Sequence, residues 1–313
     1  MNIPSNAELE SPLDAGMSAP VALSATRPLF WSIRRELWEN RSIYVAPLAA
    51  AAIVLFSFSV SALIKLPGRV RSLPTLDPEQ QRTVLAIPYG FGASAIMFTS
   101  FIVALFYCID ALYGERRDRS ILFWKSLPVS DLTTVLAKFS VPFVVLPAVA
   151  YTISLVTQLL MLLVSTFVLT ASGVGAGAVW TRLPIVQLPL VMLYGLAAHA
   201  LWFTPIYGWL LLVSGWARRT PLLWAVLPPL AVMAVERMVF GTTYVAMLLG
   251  YRFAGAMREA FAAEVHAKDV VVDQLAQLDP LRFLGSAGLW TGLLIAAGFL
   301  VLAIRLRRYR EPI

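Results

Sequence analysis

The stretch Tyr113–Lys138, YGERRDRSILFWKSLPVSDLTTVLAK, decides how the rest of the chain is read. Five consecutive charges, Glu115, Arg116, Arg117, Asp118 and Arg119, stand in it between two long apolar runs. Glu115 to Leu127 lacks Gly and Pro and reads as a helix. Pro128 ends that helix, because its ring has no donor and clashes with the preceding turn. Ser130 or Asp131 can cap the next helix through a side-chain oxygen. A short helix with charged ends and the apolar patch Ile121, Leu122, Phe123 and Trp124 reads as lying across the mouth of two membrane spans. There it either fixes topology or presents a knob to a soluble partner.

The composition around this stretch is that of a membrane protein. Hydrophobic residues make up 59% of the 313, charged residues 14%, and the mean hydropathy is +0.75. Soluble domains carry about 25% charged residues. So much apolar surface does not fit inside one soluble core. The formal net charge of +7 belongs on loops facing anionic lipid, and nucleic acid is a poor partner. The one cysteine, Cys108, excludes an internal disulfide and a Cys-based zinc site. The two histidines, His199 and His266, lie far apart, so no metal site is expected.

Charge-free runs count the spans outward from the central stretch. Residues 1–26 lack a signal-peptide pattern and read as a disordered cytosolic tail. Residues 27–41, RPLFWSIRRELWENR, place Phe30, Trp31, Ile33, Leu37 and Trp38 on one helical arc. Ser32, Arg35, Glu36, Glu39 and Asn40 fill the other, the pattern of an interfacial helix. Residues 42–313 then form the transmembrane domain. Ser42–Leu63 is span one, Thr83–Ile109 span two, and about 136–166 span three, inside a charge-free run from Phe139 to Thr181. Leu183–Ala217 holds span four. Pro221–Val235 and Val239–Tyr251, separated by Glu236-Arg237, suggest a broken span five or a span with a re-entrant piece. Phe283–Ile304 is span six, with Gly288, Gly292 and Ala296 forming a strip for close helix contact, more often intramolecular than between copies. The expected fold class is all-α integral membrane, six spans.

With both termini and the loops after spans two and four on one side, that side holds 15 of the 25 Lys and Arg residues. The positive side faces the cytosol, so both termini are expected there. No GxSxG, HExxH, Walker A or CxxC motif occurs, so no catalytic set is visible. Ionisable groups inside spans are candidates for function. They are His199 in span four, weighed as packing or gate, and Glu236 and Arg237, weighed as an outer seal or simply a water-facing helix end. Asp110 reads as an interface residue. Span-two aromatics and methionines (Tyr89, Phe91, Met97, Phe98, Phe101) either line an apolar path or face neighbouring helices and lipid.

The central stretch resembles the cytoplasmic loop of ABC-2 type exporter permeases. Glu115-Arg116-Arg117 corresponds to the acidic-basic start of that loop, Ser120–Ser126 to its coupling helix, Leu127-Pro128-Val129-Ser130 to its turn, and Lys138 to the lysine in the next span. The span order extends the likeness over most of the chain. Many members carry Gly-Thr where this chain has Arg119-Ser120, which leaves sub-family and substrate open. The resemblance implies a non-catalytic permease subunit with a coupling helix at about 115–127, in a bacterial cytoplasmic membrane. It implies a second permease subunit and a separate ATPase subunit that binds ATP and Mg, with no cofactor on this chain. Ile121, Phe123 and Trp124 would anchor docking to the ATPase. Arg116, Arg117, Arg119 and Lys125 would orient it, within a segment completed by Glu115, Asp118 and Pro128. The cargo class implied is a lipid, a peptide or a hydrophobic drug-like molecule. An ATPase-independent secondary transporter and a membrane scaffold or sensor are the alternatives; the first would need an acidic relay that the spans scarcely supply.

Overall fold

A computed structural model describes residues 26–126, 129–262 and 274–309. The expected tail, apart from Thr26, lies outside the described residues, as does Pro128. The described chain is helical. In order come α1 (Thr26–Glu39), α2 (Ser42–Ser72), α3 (Pro78–Asp110), α4 (Tyr113–Arg117), α5 (Ile121–Ser126), α6 (Asp131–Ser140) and α7 (Leu146–Ala171). Then follow α8 (Gly177–Arg182), α9 (Gln187–Trp202), α10 (Thr204–Trp216), α11 (Pro221–Phe240), α12 (Tyr244–Ala260), α13 (Pro280–Gly285) and α14 (Ala287–Tyr309).

Five helices are long and apolar enough to cross a membrane, and a sixth crossing results if α9 and α10, bent by 47°, form one span. Their outer surfaces fit lipid rather than water. In α11 only Ala225 is buried, while Leu223, Leu227, Val232 and Met238 are exposed. A helix that is apolar all round and uncovered by its own chain needs an apolar surrounding.

Small residues set the packing. A Cβ added to Gly208 of α10 would lie 3.3 Å from the Ala296 carbonyl oxygen of α14. One added to Gly92 of α3 would lie 2.8 Å from Val54 of α2. These close approaches draw α10 onto α14 and α3 onto α2 and α7. Tyr107, Trp202, Tyr207, Leu211 and Leu289 join the two groups in one core. A π-helical turn, Val141–Val145, lets the chain pass Pro142 between α6 and α7 without a break, since the ring removes a donor there.

Two expectations about breaks are corrected. The helix expected over Glu115–Leu127 is two short helices, parted at Arg119, whose φ is 56°. The break expected at Glu236-Arg237 falls a turn later, at 241–243, because α11 runs unbroken through Glu236 and Arg237 and the next helix starts at Tyr244. Those two residues sit near the end of α11, where they tie it to its successor instead of interrupting it. A further break, in span four, falls at Phe203. Pro205 cannot donate in the first turn of α10, and the Thr204 hydroxyl satisfies the Leu201 carbonyl at 2.7 Å.

Candidate functional site

Both described chain ends and the central stretch meet at one end of the bundle. Their meeting point is a buried charge network. Lys138 Nζ of α6 lies 2.9 Å from Glu36 Oε1 of α1 and 3.1 Å from Glu115 Oε1 of α4. Arg35 donates to the same Glu115 oxygen at 2.7 Å. Arg307 of α14 pairs with Glu115 Oε2 and, at 3.1 Å, with Asp131 Oδ1. The Tyr107 hydroxyl donates to Glu36 Oε2 at 2.8 Å. Glu36, Glu115, Lys138 and Arg307 are all buried, so their charges persist only because each is paired and hydrogen-bonded. Burial works against the Arg35 charge, yet the carboxylates of Glu36, Glu115 and Glu39 outweigh it and hold the guanidinium above its usual range.

A second set of bonds ties α4 to the end of α10. Ser214 Oγ accepts from the amides of Leu112 at 2.9 Å and Tyr113 at 2.8 Å. Arg116 donates to the carbonyls of Gly215 at 2.7 Å and Ala217 at 3.1 Å. A cation there meets unsatisfied carbonyls and the negative end of the helix dipole. Ser130 caps α6 by accepting from the Thr133 amide at 3.1 Å, which frees Asp131 for Arg307.

The structure therefore divides the residues expected to dock a partner. Glu115, Arg116 and Ile121 face inward and are buried against the rest of the chain, unlike the outward face expected for docking. Arg117, Asp118, Arg119 and Phe123 are exposed, together with Leu122. Arg117 and Asp118 pair with each other at 2.9 Å. The side chains of Trp124 and Lys125 lie outside what is described, as Pro128 does.

On α1 the polar arc faces the network and the aromatic arc faces out. Phe30, Trp31 and Trp38 are exposed. Arg34, within the apolar arc, lies over the Trp31 and Trp38 rings at 5.1 and 4.7 Å. Sequence reasoning placed Glu36 on this polar arc without finding its role. Its partners are distant in sequence, and no local spacing signals them.

Away from that network, α3, α7, α9 and α12 enclose an open cleft of about 880 Å³. Phe91, Met97, Phe98 and Phe101 line it, while Tyr89 points away to Ser165, 3.0 Å from its hydroxyl. His199 lines the cleft as well. Its ring centroid lies 4.3 Å from that of Phe203 and 5.0 Å from that of Phe101, so three rings make the cleft floor at the bend in span four. The α12 wall is pinned at the same bend. Arg252 donates to the Trp202 carbonyl at 3.1 Å and the Gly288 carbonyl at 2.8 Å, and lies over the Trp202 ring at 4.6 Å. A Cβ on Gly288 would fall 2.5 Å from the Tyr251 hydroxyl, and one on Gly292 2.6 Å from Arg252. The glycine strip of α14 thus makes room for α12 and the strip is intramolecular.

Glu236 and Arg237 do not reach this cleft. Glu236 accepts from the amides of Tyr244 at 2.6 Å and Val245 at 2.8 Å, and so caps α12. Arg237 reaches the Gly241 carbonyl at 3.4 Å. Their geometry is that of a helix connection.

Comparison with family models, with curated proteins and with solved structures finds no match in any of the three.

Proposed function

We propose that this chain is the transmembrane permease subunit of an ATP-driven exporter of the ABC-2 type, with the charged end in the cytosol and the α4–α5 hairpin as its coupling element. One observation carries the reading. The hairpin is clamped from behind to α1, α6, α10 and α14, while Arg117, Asp118, Leu122 and Phe123 are exposed. Force applied to such an element moves four helix ends together. A loop that only fixed topology would not need a buried clamp.

A further feature supports the likeness. Arg119, at the position where many ABC-2 permeases carry glycine, adopts the left-handed conformation that glycine adopts without strain. Lacking a Walker motif, the chain takes its energy from a separate ATPase subunit, and a second permease chain completes the pathway. Nucleotide-driven closure of the ATPase pair presses the hairpins, and the helices they hold convert that movement into outward opening.

The test is co-purification of this chain with an ATPase subunit that carries a Walker A motif. A charge placed at Phe123 removes an exposed aromatic anchor, a change that typically costs about 2 kcal/mol or more of binding. Phe123→Asp is expected to lose ATPase co-elution while the permease melts at an unchanged temperature. Equal ATPase recovery with wild type and variant would contradict the docking role.

A further inference from the structure

The cleft away from the charge network is more than a gap between helices. Its walls are built from phenylalanines and methionines on α3, α9 and α12. The groove between α2 and α7 offers a contrast within the same molecule, being lined by Leu48, Ala51, Leu55, Ile153 and Val156, with no ring. Aliphatic walls suit acyl chains. Rings and thioethers suit a ligand that is itself aromatic, through stacking, edge contacts and sulfur–ring contacts. The cleft volume, about 880 Å³, is that of a small-molecule site.

Polar groups converge on it sparingly. Gln158 lies halfway along α7 and lines the cleft. Among the described residues its amide has no hydrogen-bond partner. The residue is half-buried, so its amide is open to whatever occupies the cleft. His199 reaches only the Tyr207 hydroxyl, at 3.5 Å, and has one ring nitrogen to spare. An apolar cavity with a few polar groups, here Ser94, Gln158 and His199, has the general form of an oriented binding site.

We propose that this cleft binds a compact aromatic molecule carrying one hydrogen-bonding group, with Gln158 as the residue that holds that group and the Phe101–His199–Phe203 floor as the surface on which its ring rests. As a cargo site this rests on the export reading; as a binding site it is tested without any ATPase. The bend at Phe203 lies directly under the ligand, so movement of α10 relative to α9 would alter the floor.

The probe is benzophenone, two rings and one carbonyl, which inserts on irradiation into nearby C–H bonds and favours methionine. The full chain in lipid nanodiscs is irradiated with it and the adducts are mapped by mass spectrometry. Met97 and Met192 line the cleft, whereas Met238 is 87% and Met247 56% exposed on the outer surface. The proposal expects saturable adducts on Met97 and Met192. It also expects Gln158→Leu to lower them about fivefold, the worth of one hydrogen bond. That variant removes an unpartnered amide and leaves the fold intact, as an unchanged melting temperature would show. Labelling of Met97 and Met192 that rises without saturation alongside Met238 and Met247, indifferent to Gln158→Leu, would mean a lipid-filled cleft and overturn the proposal. Labelled Met238 with bare Met97 and Met192 would mean that a second copy covers the cleft, and would overturn it too.

Discussion

Lys138 is held between two buried carboxylates, and its removal takes one cation from each. Lys138→Met leaves Glu36 and Glu115 facing each other with one cation fewer, in a site nearly closed to water. Breaking a buried pair by deleting one partner costs about 3–5 kcal/mol. Lys138→Met is therefore expected to lower stability by that amount in a detergent melt, and Lys138→Met with Glu36→Gln to recover part of it. Equal losses in the single and double variants would mean that the charges do not couple. Arg119 makes the opposite case. A left-handed conformation costs a residue with a Cβ about 1–2 kcal/mol, and glycine escapes most of that. Arg119→Gly should raise stability by about 1 kcal/mol, less whatever glycine's freedom in the unfolded chain takes back. A lower melting point for that variant would show that the Arg119 side chain contributes more than its backbone loses.

At the scale of elements, the position of α12 depends on a joint of small residues around Trp202. Trp202 is sandwiched between Gly255 and Gly288, and a Cβ on either would lie 2.7 or 3.0 Å from its ring. Gly288→Val should overpack this joint, at about 1–3 kcal/mol, and release α12 from the bend. Hydrogen exchange is then expected to rise in 244–260 while α10 and the neighbouring part of α14 stay protected. Protection unchanged in α12 would contradict the joint. The long apolar helices were legible in the sequence because charges bound them. The break at Phe203 was not, since no charge falls within Leu183–Ala217 and only Pro205 marks the place. The break near Glu236-Arg237 falls a turn later than the charges suggest, because Glu236 caps the helix that follows. Of the candidate site, the exposed face of the hairpin was readable from its charges and aromatics. Its clamp was not, because Glu36, Lys138 and Arg307 come together only through tertiary packing. Gln158 had a signal that went unused, as the one carboxamide in the charge-free run from Phe139 to Thr181.

For the whole molecule, the two regions lie at different levels along the same helices. The α3 helix carries cleft-lining Phe91 and Phe98 and, further along, Tyr107 of the charge network; α10 runs from the bend to Ser214 and Gly215. On the export reading, pressure on the hairpin would reach α10 at one end and the bend at Phe203 at the other. Loosening the Arg116 bonds should uncouple these ends without removing the exposed docking face. Arg116→Met is expected to keep ATPase binding and lose substrate-stimulated hydrolysis, read as a ratio of stimulated to basal rate. A normal ratio would place the transmission elsewhere.

The central claim is that the exposed face of the hairpin lies in the cytosol and is covered by an ATPase. A single cysteine at Phe123, in a Cys108→Ala background, reports on both when probed with a membrane-impermeant maleimide on vesicles of known orientation. The account predicts labelling only from the cytosolic face, with protection once the ATPase is bound. Labelling from the outer face, or full labelling with the ATPase bound, would contradict it.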